Sequence, residues 1–230
     1  MIYNANEAEK IVKGTFIVEN KNRFLCEVNI AGIKTICYVP STCRLDKLIS
    51  LPGKEVLLLP TVAAKKKTAY SLYAVAHKRN YIVLNASLAN RLVENNIHSR
   101  RFSFLGKRVI VLREHIHNGY KCDLFVKDTK TIIEVKSIIS ACPYAPLFSV
   151  NSHRAMQQLH FLETYLNRGF PVCYVIVAFN PYTESIVLNP SNLLHKKLMS
   201  CMECGMKLYA LSGYLDAGKL RIKKRIKIIT

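Results

Sequence analysis

Tryptophan is absent from the 230-residue sequence, and glycine and proline are scarce, at 9 and 8 residues. Their scarcity excludes a collagen-like or low-complexity chain. Apolar and aromatic residues make up 50% of the chain, which excludes intrinsic disorder and is enough to form a core. No apolar run is long enough to span a membrane, because the longest covers only residues 172–179.

A signal segment is also lacking, since acidic residues lie within the first ten positions, where a signal peptide requires an apolar stretch. We therefore expect a cytoplasmic protein. The eight cysteines are scattered, and the Cys-x-x-Cys motif at Cys201 and Cys204 has no second motif to complete a zinc site. Reduced core thiols are the favoured interpretation, with a metal or redox role as the alternative.

Basic residues outnumber acidic ones by 34 to 15, so the formal net charge is +19. This charge favours a polyanionic partner, and a generally basic proteome is the alternative explanation. We expect DNA, single- or double-stranded, with RNA as the alternative, and no membrane, because no helix pairs a basic face with an apolar one. A homodimer is compatible with the sequence, although no heptad seam predicts one. The candidate DNA contacts are seven basic residues: Arg23, Arg44, Lys65, Lys66, Lys67, Arg91 and Arg154.

The pattern of the first part of the chain predicts short strands separated by turns. About five strands and one short helix are expected within residues 11–78, and this count predicts a small closed barrel of the OB type. We assign residues 1–80 to this domain. Such barrels bind single strands through aromatic stacking, for which Tyr38, Tyr70 and Tyr73 are candidates, although a position in the core is the favoured interpretation for each.

The hydrophobic period changes after residue 81. Helices are expected at 85–96, at 153–167 behind a Ser152 cap, and at 191–204. They alternate with strands, which predicts an α/β domain on a mixed sheet over residues 81–230, so the chain as a whole is of mixed α/β and α+β class. Residues 219–227 carry six basic side chains and are interpreted as an edge strand or an ordered basic tail.

Residues 119–136 carry the most informative pattern, two strands joined by a turn at 127–130. A turn centred between Asp128 and Thr129 would pair Asp123 with Glu134 across the hairpin, with Lys136 on the same face. Opposed carboxylates repel unless a cation lies between them. The alternative is a solvated hairpin with ordinary exposed charges.

The spacing of Asp123, Glu134 and Lys136 matches the PD-(D/E)xK nuclease signature. Two carboxylates can hold Mg²⁺ or Mn²⁺, which polarises a phosphate and lowers the pKa of an attacking water, and a lysine can orient that water. Asp123, Glu134 and Lys136 are therefore candidate catalytic residues, and the two acids are the candidate metal ligands. Glu94 is a candidate outer acid on the preceding helix, with an ordinary surface acid as the alternative.

Five segments in chain order resemble the sugar fermentation stimulation protein A (SfsA) family. They cover nearly the whole chain and depart from the family pattern at single positions such as Ser41, Cys43 and Ala86. The segments are residues 22–25, 39–44, 67–72 and 85–94, and Asp123 together with 134–137.

The resemblance implies an N-terminal OB-like domain, a C-terminal PD-(D/E)xK nuclease-like domain, DNA binding and regulation of sugar-utilisation genes. Residues 147–159 depart most from the family pattern, with Ser149, Ala155, Gln157 and Gln158 in place of Asp, Gly, Lys and His. Two functions remain open: a metal-dependent DNA nuclease, favoured by the intact triad, and a catalytically inactive DNA-binding regulator, favoured by the altered segment.

Overall fold

The protein is described from a computed structural model over residues 11–41, 44–61, 67–106, 109–147 and 152–229. Its first sheet has six strands in the order β3-β2-β1-β4-β5-β6, and a parallel pairing of β3 with β5 closes it into a barrel. The strands are β1 (Val12–Glu19), β2 (Leu25–Ile30), β3 (Ile33–Tyr38), β4 (Glu55–Pro60), β5 (Tyr70–His77) and β6 (Asn80–Val83).

The predicted barrel is confirmed, with one strand more than the sequence indicated. The missed strand β6 pairs with β5 through a tight turn, so the expected domain boundary between residues 80 and 81 falls inside it. Closure brings β1 and β2 close together at Gly14, where a Cβ atom would lie 2.5 Å from a methyl group of Val28. Only glycine fits this approach without a shift of the neighbouring strand.

The second sheet is mixed, as predicted, in the order β16-β15-β13-β11-β10-β7. Strands β11, β13 and β15 are parallel to one another, and the outer pairings are antiparallel. The strands are β7 (Val111–Arg113), β10 (Leu124–Val126), β11 (Thr131–Ile138), β13 (Val172–Ala178), β15 (Lys207–Asp216) and β16 (Lys219–Arg225). Residues 219–225 thus form an edge strand, which decides between the two interpretations of this segment.

Three helices accompany this sheet: α1 (Leu88–Asn96), α2 (His153–Asn167) and α3 (Leu193–Glu203). The side chain of Ser152 accepts a hydrogen bond from the Ala155 amide and caps α2 as predicted. The cap of α3 is Asn192, which accepts from the Leu194 amide. No helix in the described ranges has the length and apolar character to cross a membrane.

Short strands that the sequence did not reveal form two small sheets. One pairs β8 (Ile116–His117) with β9 (Tyr120–Lys121), and the other joins β12 (Tyr144–Pro146), β14 (Ser185–Val187) and β17 (Lys227–Ile229). The predicted single strand over residues 120–126 is therefore wrong: it divides into β9 and β10 with a break at Cys122 and Asp123.

The second sheet separates two apolar cores. One core is shared by the barrel, α1 and one face of the sheet, and it includes Ile133 and Val135 of β11. The other lies between the opposite face and helices α2 and α3, and it includes Ile132. Strand β13 is buried along its whole length, as expected for a strand covered on both faces.

Candidate active site

The hairpin of β10 and β11 brings the predicted carboxylates together. Its register pairs Leu124 with Ile133 and Val126 with Thr131, and residues 127–130 form the turn, as the sequence predicted. The same register continued by one residue places Asp123 opposite Glu134. The strand break before Leu124 leaves Asp123 outside the ladder, where its Oδ2 accepts a 2.9 Å hydrogen bond from the Val135 amide.

Asp123 is also held from helix α1. The Nδ2 group of Asn90 donates a 2.8 Å hydrogen bond to Asp123 Oδ1. Both carboxylate oxygens therefore have a neutral donor, one from the sheet backbone and one from a helix. Two such contacts fix the orientation of the carboxylate while leaving its negative charge uncompensated.

Glu134 is the most deeply buried charged side chain of the site, with 1% of its surface exposed. The Tyr120 hydroxyl donates to its Oε1 at 2.6 Å, and Gln158 Nε2 donates to its Oε2. Burial first, and then the nearby Asp123 charge, raises the pKa of Glu134 to about 8. Opposed carboxylates in a low-dielectric site cannot both ionise readily, which is the repulsion expected from the sequence.

Lys136 lies two residues farther along β11 and on the same face as Glu134. Its Nζ donates a 2.5 Å hydrogen bond to Gln158 Oε1, while the amide nitrogen of the same glutamine contacts Glu134. Gln158 thus bridges the lysine and the buried carboxyl. Because Gln158 stands on α2, this helix sets the relative positions of the two β11 side chains.

Tyr120 is fixed by an aromatic contact as well as by its hydrogen bond. Its ring stacks on Phe161 of α2, with 3.9 Å between the ring centroids. Burial and the charge of Glu134 raise the pKa of the Tyr120 hydroxyl, so it remains a proton donor. The β8–β9 hairpin, which carries Tyr120, is in this way tied to α2 over the site.

The predicted outer acid lies to one side of this arrangement. Glu94 on α1 forms an ion pair with Arg113, at 3.6 Å between Oε2 and Nη1. Within the residues that can be described, no group of three or more Asp, Glu, His or Cys side chains is arranged to hold a metal ion. The helix contribution to the pair comes instead from Asn90, and a role for Glu94 stays a prediction.

The predicted DNA contacts are dispersed over several elements. Arg23 lies 4.8 Å over the Phe24 ring before β2, Arg44 pairs with Asp46 at 3.1 Å, and Lys67 is exposed before β5. Arg91 is half-buried on α1, and Arg154 is exposed on α2. Lys65, Lys66 and the variant position Ser149 lie outside the described residues.

Three site residues were missing from the sequence-based assignment: Asn90, Tyr120 and Gln158. Asn90 had a weak signal, because it lies one helical turn before Glu94, and Gln158 was visible only as a departure from the family pattern. Tyr120 had none, because it lies three residues before Asp123 and would point to the opposite face if 120–126 were one continuous strand. Each comes from a different element, so only the fold brings them to one carboxylate pair.

Comparisons with known proteins agree with this architecture. Residues 18–84 match the model of the SfsA N-terminal OB domain. A sugar fermentation stimulation protein homolog from Ruminiclostridium cellulolyticum is 24% identical over 95% of this chain and 98% of its own length. The homolog from Caldanaerobacter subterraneus subsp. tengcongensis is 32% identical over 95% of this chain and 97% of its own.

A solved structure shares the fold over almost the full length. The SfsA protein of Pyrococcus furiosus, in complex with Ca²⁺, superposes with a TM-score of 0.81 over 95% of both chains at 19% sequence identity. Three findings agree with the resemblance found in the sequence: the OB domain match, the near-complete coverage of relatives up to 32% identical, and the common fold. The chain belongs to the sugar fermentation stimulation protein (SfsA) family.

Proposed function

We propose that this protein binds DNA and hydrolyses its phosphodiester bonds with a divalent metal ion, Mg²⁺ or Mn²⁺. The observation that carries the proposal is that Asp123 lies opposite Glu134 of β11, with Lys136 on the same face as Glu134 and joined to it through Gln158. Two acids and a lysine arranged in this way suit phosphodiester hydrolysis. A solvated hairpin with ordinary surface charges would not require this arrangement.

The carboxylate pair fits a hard divalent cation. Carboxylate oxygens are preferred ligands of Mg²⁺, which takes one or two of them and leaves positions for water and phosphate. The raised pKa of Glu134 reflects burial together with excess negative charge, which a cation would relieve. The Pyrococcus furiosus relative, described in complex with Ca²⁺, supports divalent-cation binding in this fold.

Asp123 and Glu134 would hold the ion, which when bound polarises the phosphate and makes the attacking water more acidic. Asn90 and the Val135 amide keep the Asp123 carboxylate in place, and Tyr120 and Gln158 do the same for Glu134. Lys136 supplies a positive charge on the face where the scissile phosphate would lie, and it can orient water or stabilise developing negative charge.

The barrel would contribute nucleic-acid contacts. Tyr38 and Phe24 each have 40% of their surface exposed on the outer side of the barrel, and Arg23 lies over the Phe24 ring. Such aromatic and cationic side chains bind single strands by stacking. Tyr73 is unsuited to this role because it is buried and its hydroxyl donates to the Gly218 carbonyl, and Tyr70 is half-buried against the core.

A second candidate function is a DNA-binding regulator of sugar-utilisation genes that does not cleave. One observation favours it: all four carboxylate oxygens of Asp123 and Glu134 already accept hydrogen bonds from the protein. A pair that is satisfied in this way, and further stabilised by protonation of Glu134, can persist as a structural element without a metal.

Glu134→Gln and the control Glu203→Gln distinguish the two functions. Glu203 is exposed at the end of α3, so its substitution makes the same chemical change away from the site. Each protein is incubated with single- and double-stranded DNA in Mg²⁺, Mn²⁺ or chelator, and cleavage and binding are scored together. The nuclease proposal predicts metal-dependent cleavage by the wild type and control that the Glu134 variant lacks. Binding without cleavage by all three supports the regulator, and the absence of both overturns the proposal.

A further inference from the structure

Strand β16 lies at the free edge of the second sheet and is strongly basic. Among the described residues it pairs only with β15, and its last three residues, Lys223, Lys224 and Arg225, are all exposed. Arg221 of the same strand forms an ion pair with Asp216, 2.8 Å away. Within the part of the chain that the structure describes, the three terminal cations of β16 form no such ion pair.

The basic surface continues from β16 onto the barrel through Tyr182. Lys223 Nζ donates a 2.8 Å hydrogen bond to the Pro181 carbonyl and lies 5.2 Å from the Tyr182 ring centroid. Lys78, in the β5–β6 turn of the barrel, lies 4.9 Å from the same ring, and the Arg79 amide donates to the Tyr182 hydroxyl at 3.2 Å. One tyrosine thus joins cations of the two sheets.

An aromatic pair holds further cations at Arg225, the last residue of β16. The rings of Phe104 and Tyr209 stack at 4.4 Å, with Lys207 5.1 Å over Phe104 and Arg225 4.6 Å over Tyr209. We call the exposed cations of both clusters, together with Lys224 between them, the basic rim. Its members are Lys78, Arg79, Lys207, Lys223, Lys224 and Arg225.

Four of the six rim cations lie over aromatic rings, and Lys223 also donates to a carbonyl; neither kind of partner neutralises charge. Within the described ranges, none of the six forms an ion pair with a carboxylate. Charges along an edge strand also prevent edge-to-edge sheet pairing. Protection of the sheet edge explains the lysines on β16. It does not explain why cations lie over aromatic rings, or why further cations lie next to them in the β5–β6 turn of the barrel.

We propose that the basic rim binds the phosphodiester backbone of a nucleic acid, at a surface separate from the carboxylate site. Exposed cations without a carboxylate partner, four of them held over aromatic rings, suit a polyanion with regularly spaced charges, because each neutralised phosphate releases counterions. Strand β16 lies three strands from β11, about 14 Å at the usual strand spacing. This inference rests on the nucleic-acid binding proposed above.

The test compares two triple variants with the same loss of charge. The rim variant is Lys223→Gln, Lys224→Gln, Arg225→Gln, and the control is Lys127→Gln, Lys130→Gln, Lys196→Gln, three exposed lysines outside the rim. Affinity for labelled single- and double-stranded DNA and RNA is measured by fluorescence anisotropy between about 50 and 200 mM salt. A vesicle of anionic phospholipid serves as a non-nucleic polyanionic surface.

We expect the rim variant to bind roughly 10- to 100-fold more weakly at the lowest salt, with a salt slope reduced by about 2–3, because three phosphate contacts are lost. The control triple should change both values much less. Lys78→Gln with Arg79→Gln, which leaves β16 intact, should weaken binding in the same direction even if the triple variant folds poorly.

Equal salt slopes for the rim and control variants would overturn the rim while leaving nucleic-acid binding by the protein in place. The rim is also refuted if its substitution abolishes vesicle binding and leaves DNA and RNA affinity unchanged. A wild-type protein that binds no nucleic acid would remove the proposed function itself, and the rim with it.

Discussion

The carboxylate site and the basic rim handle charge in opposite ways. At the site, two acids lie next to each other and are held by neutral donors: Asn90, Tyr120 and Gln158. At the rim, exposed cations lie over aromatic rings. In both places the charges are positioned by groups that do not cancel them. Salt screens buried charges much less than exposed charges, whose interactions are largely screened beyond about 10 Å at 0.1 M salt.

The comparison predicts large, salt-insensitive effects at the site and small, salt-dependent ones at the rim. Lys136→Met should reduce metal-dependent cleavage by roughly 100- to 1000-fold, because a charge positioned at the reacting phosphate is removed. DNA affinity should change little. Lys196→Met, an exposed lysine on α3, is the matched control. Full activity of the Lys136 variant would remove the lysine from the mechanism.

The stability of the metal-free protein should depend on pH through Glu134. Its pKa is about 8 in the folded protein, above the usual 4.5, so the unfolded chain loses this proton first. The contribution to the free energy of unfolding is therefore complete below about pH 4.5 and is lost as the pH rises through about 8. Urea unfolding in chelator should show this fall by a few kcal/mol, and Glu134→Gln should flatten it. A wild-type curve parallel to that of the variant would contradict the assignment.

Gln158→Ala should have an intermediate effect. Removing the bridge between Glu134 and Lys136 should weaken metal-dependent cleavage by about 10- to 100-fold, as expected when a group that orients a ligand is lost. The adjacent Gln157 is exposed on the same helix, which makes Gln157→Ala the matched control. Steady-state cleavage as a function of Mn²⁺ concentration separates weakened metal binding from a lower maximal rate. Equal losses in the two variants would assign the effect to α2 as a whole.

The smallest effect on stability is expected at the rim. Arg225→Gln removes the cation over Tyr209, and exposed cation–π contacts contribute about 0.5–1 kcal/mol. The free energy of unfolding should therefore change by no more than about 1 kcal/mol, while the salt slope of DNA binding falls. Chemical denaturation and anisotropy on the same samples test both statements. A loss of stability larger than this would mean that the rim serves mainly to fold the sheet edge.

Local pattern was sufficient to predict the hairpin that carries the site. The turn at residues 127–130 and the period-2 alternation on either side fix the register, so the juxtaposition of Asp123 and Glu134 follows from sequence. The barrel was predicted from the number of short strands within residues 11–78. Strand β6 was missed because the basic run at residues 77–79 suggests the end of the barrel, whereas Lys78 and Arg79 form a tight turn, with Lys78 at positive φ, that leads into the strand.

The rest of the site depends on contacts between distant parts of the chain. Asn90, Tyr120 and Gln158 lie on three elements, and no local period relates them to the carboxylate pair. The basic rim could not be predicted from the sequence for the same reason. The six basic residues within 219–227 were visible, but only the sheet topology shows that they line an edge, and only the packed fold brings Tyr182 and Lys78 beside them.

Binding of Mn²⁺ to the metal-free protein is the most direct test of the carboxylate site. Isothermal titration would compare the wild type with Glu134→Gln and the exposed control Glu203→Gln. We predict that the wild type and the control bind the ion with equal affinity, and that the Glu134 variant loses more than about 100-fold, beyond the effect of an orienting group. Unchanged Mn²⁺ binding by the Glu134 variant, or no binding by the wild type, would contradict a metal centre at Asp123 and Glu134.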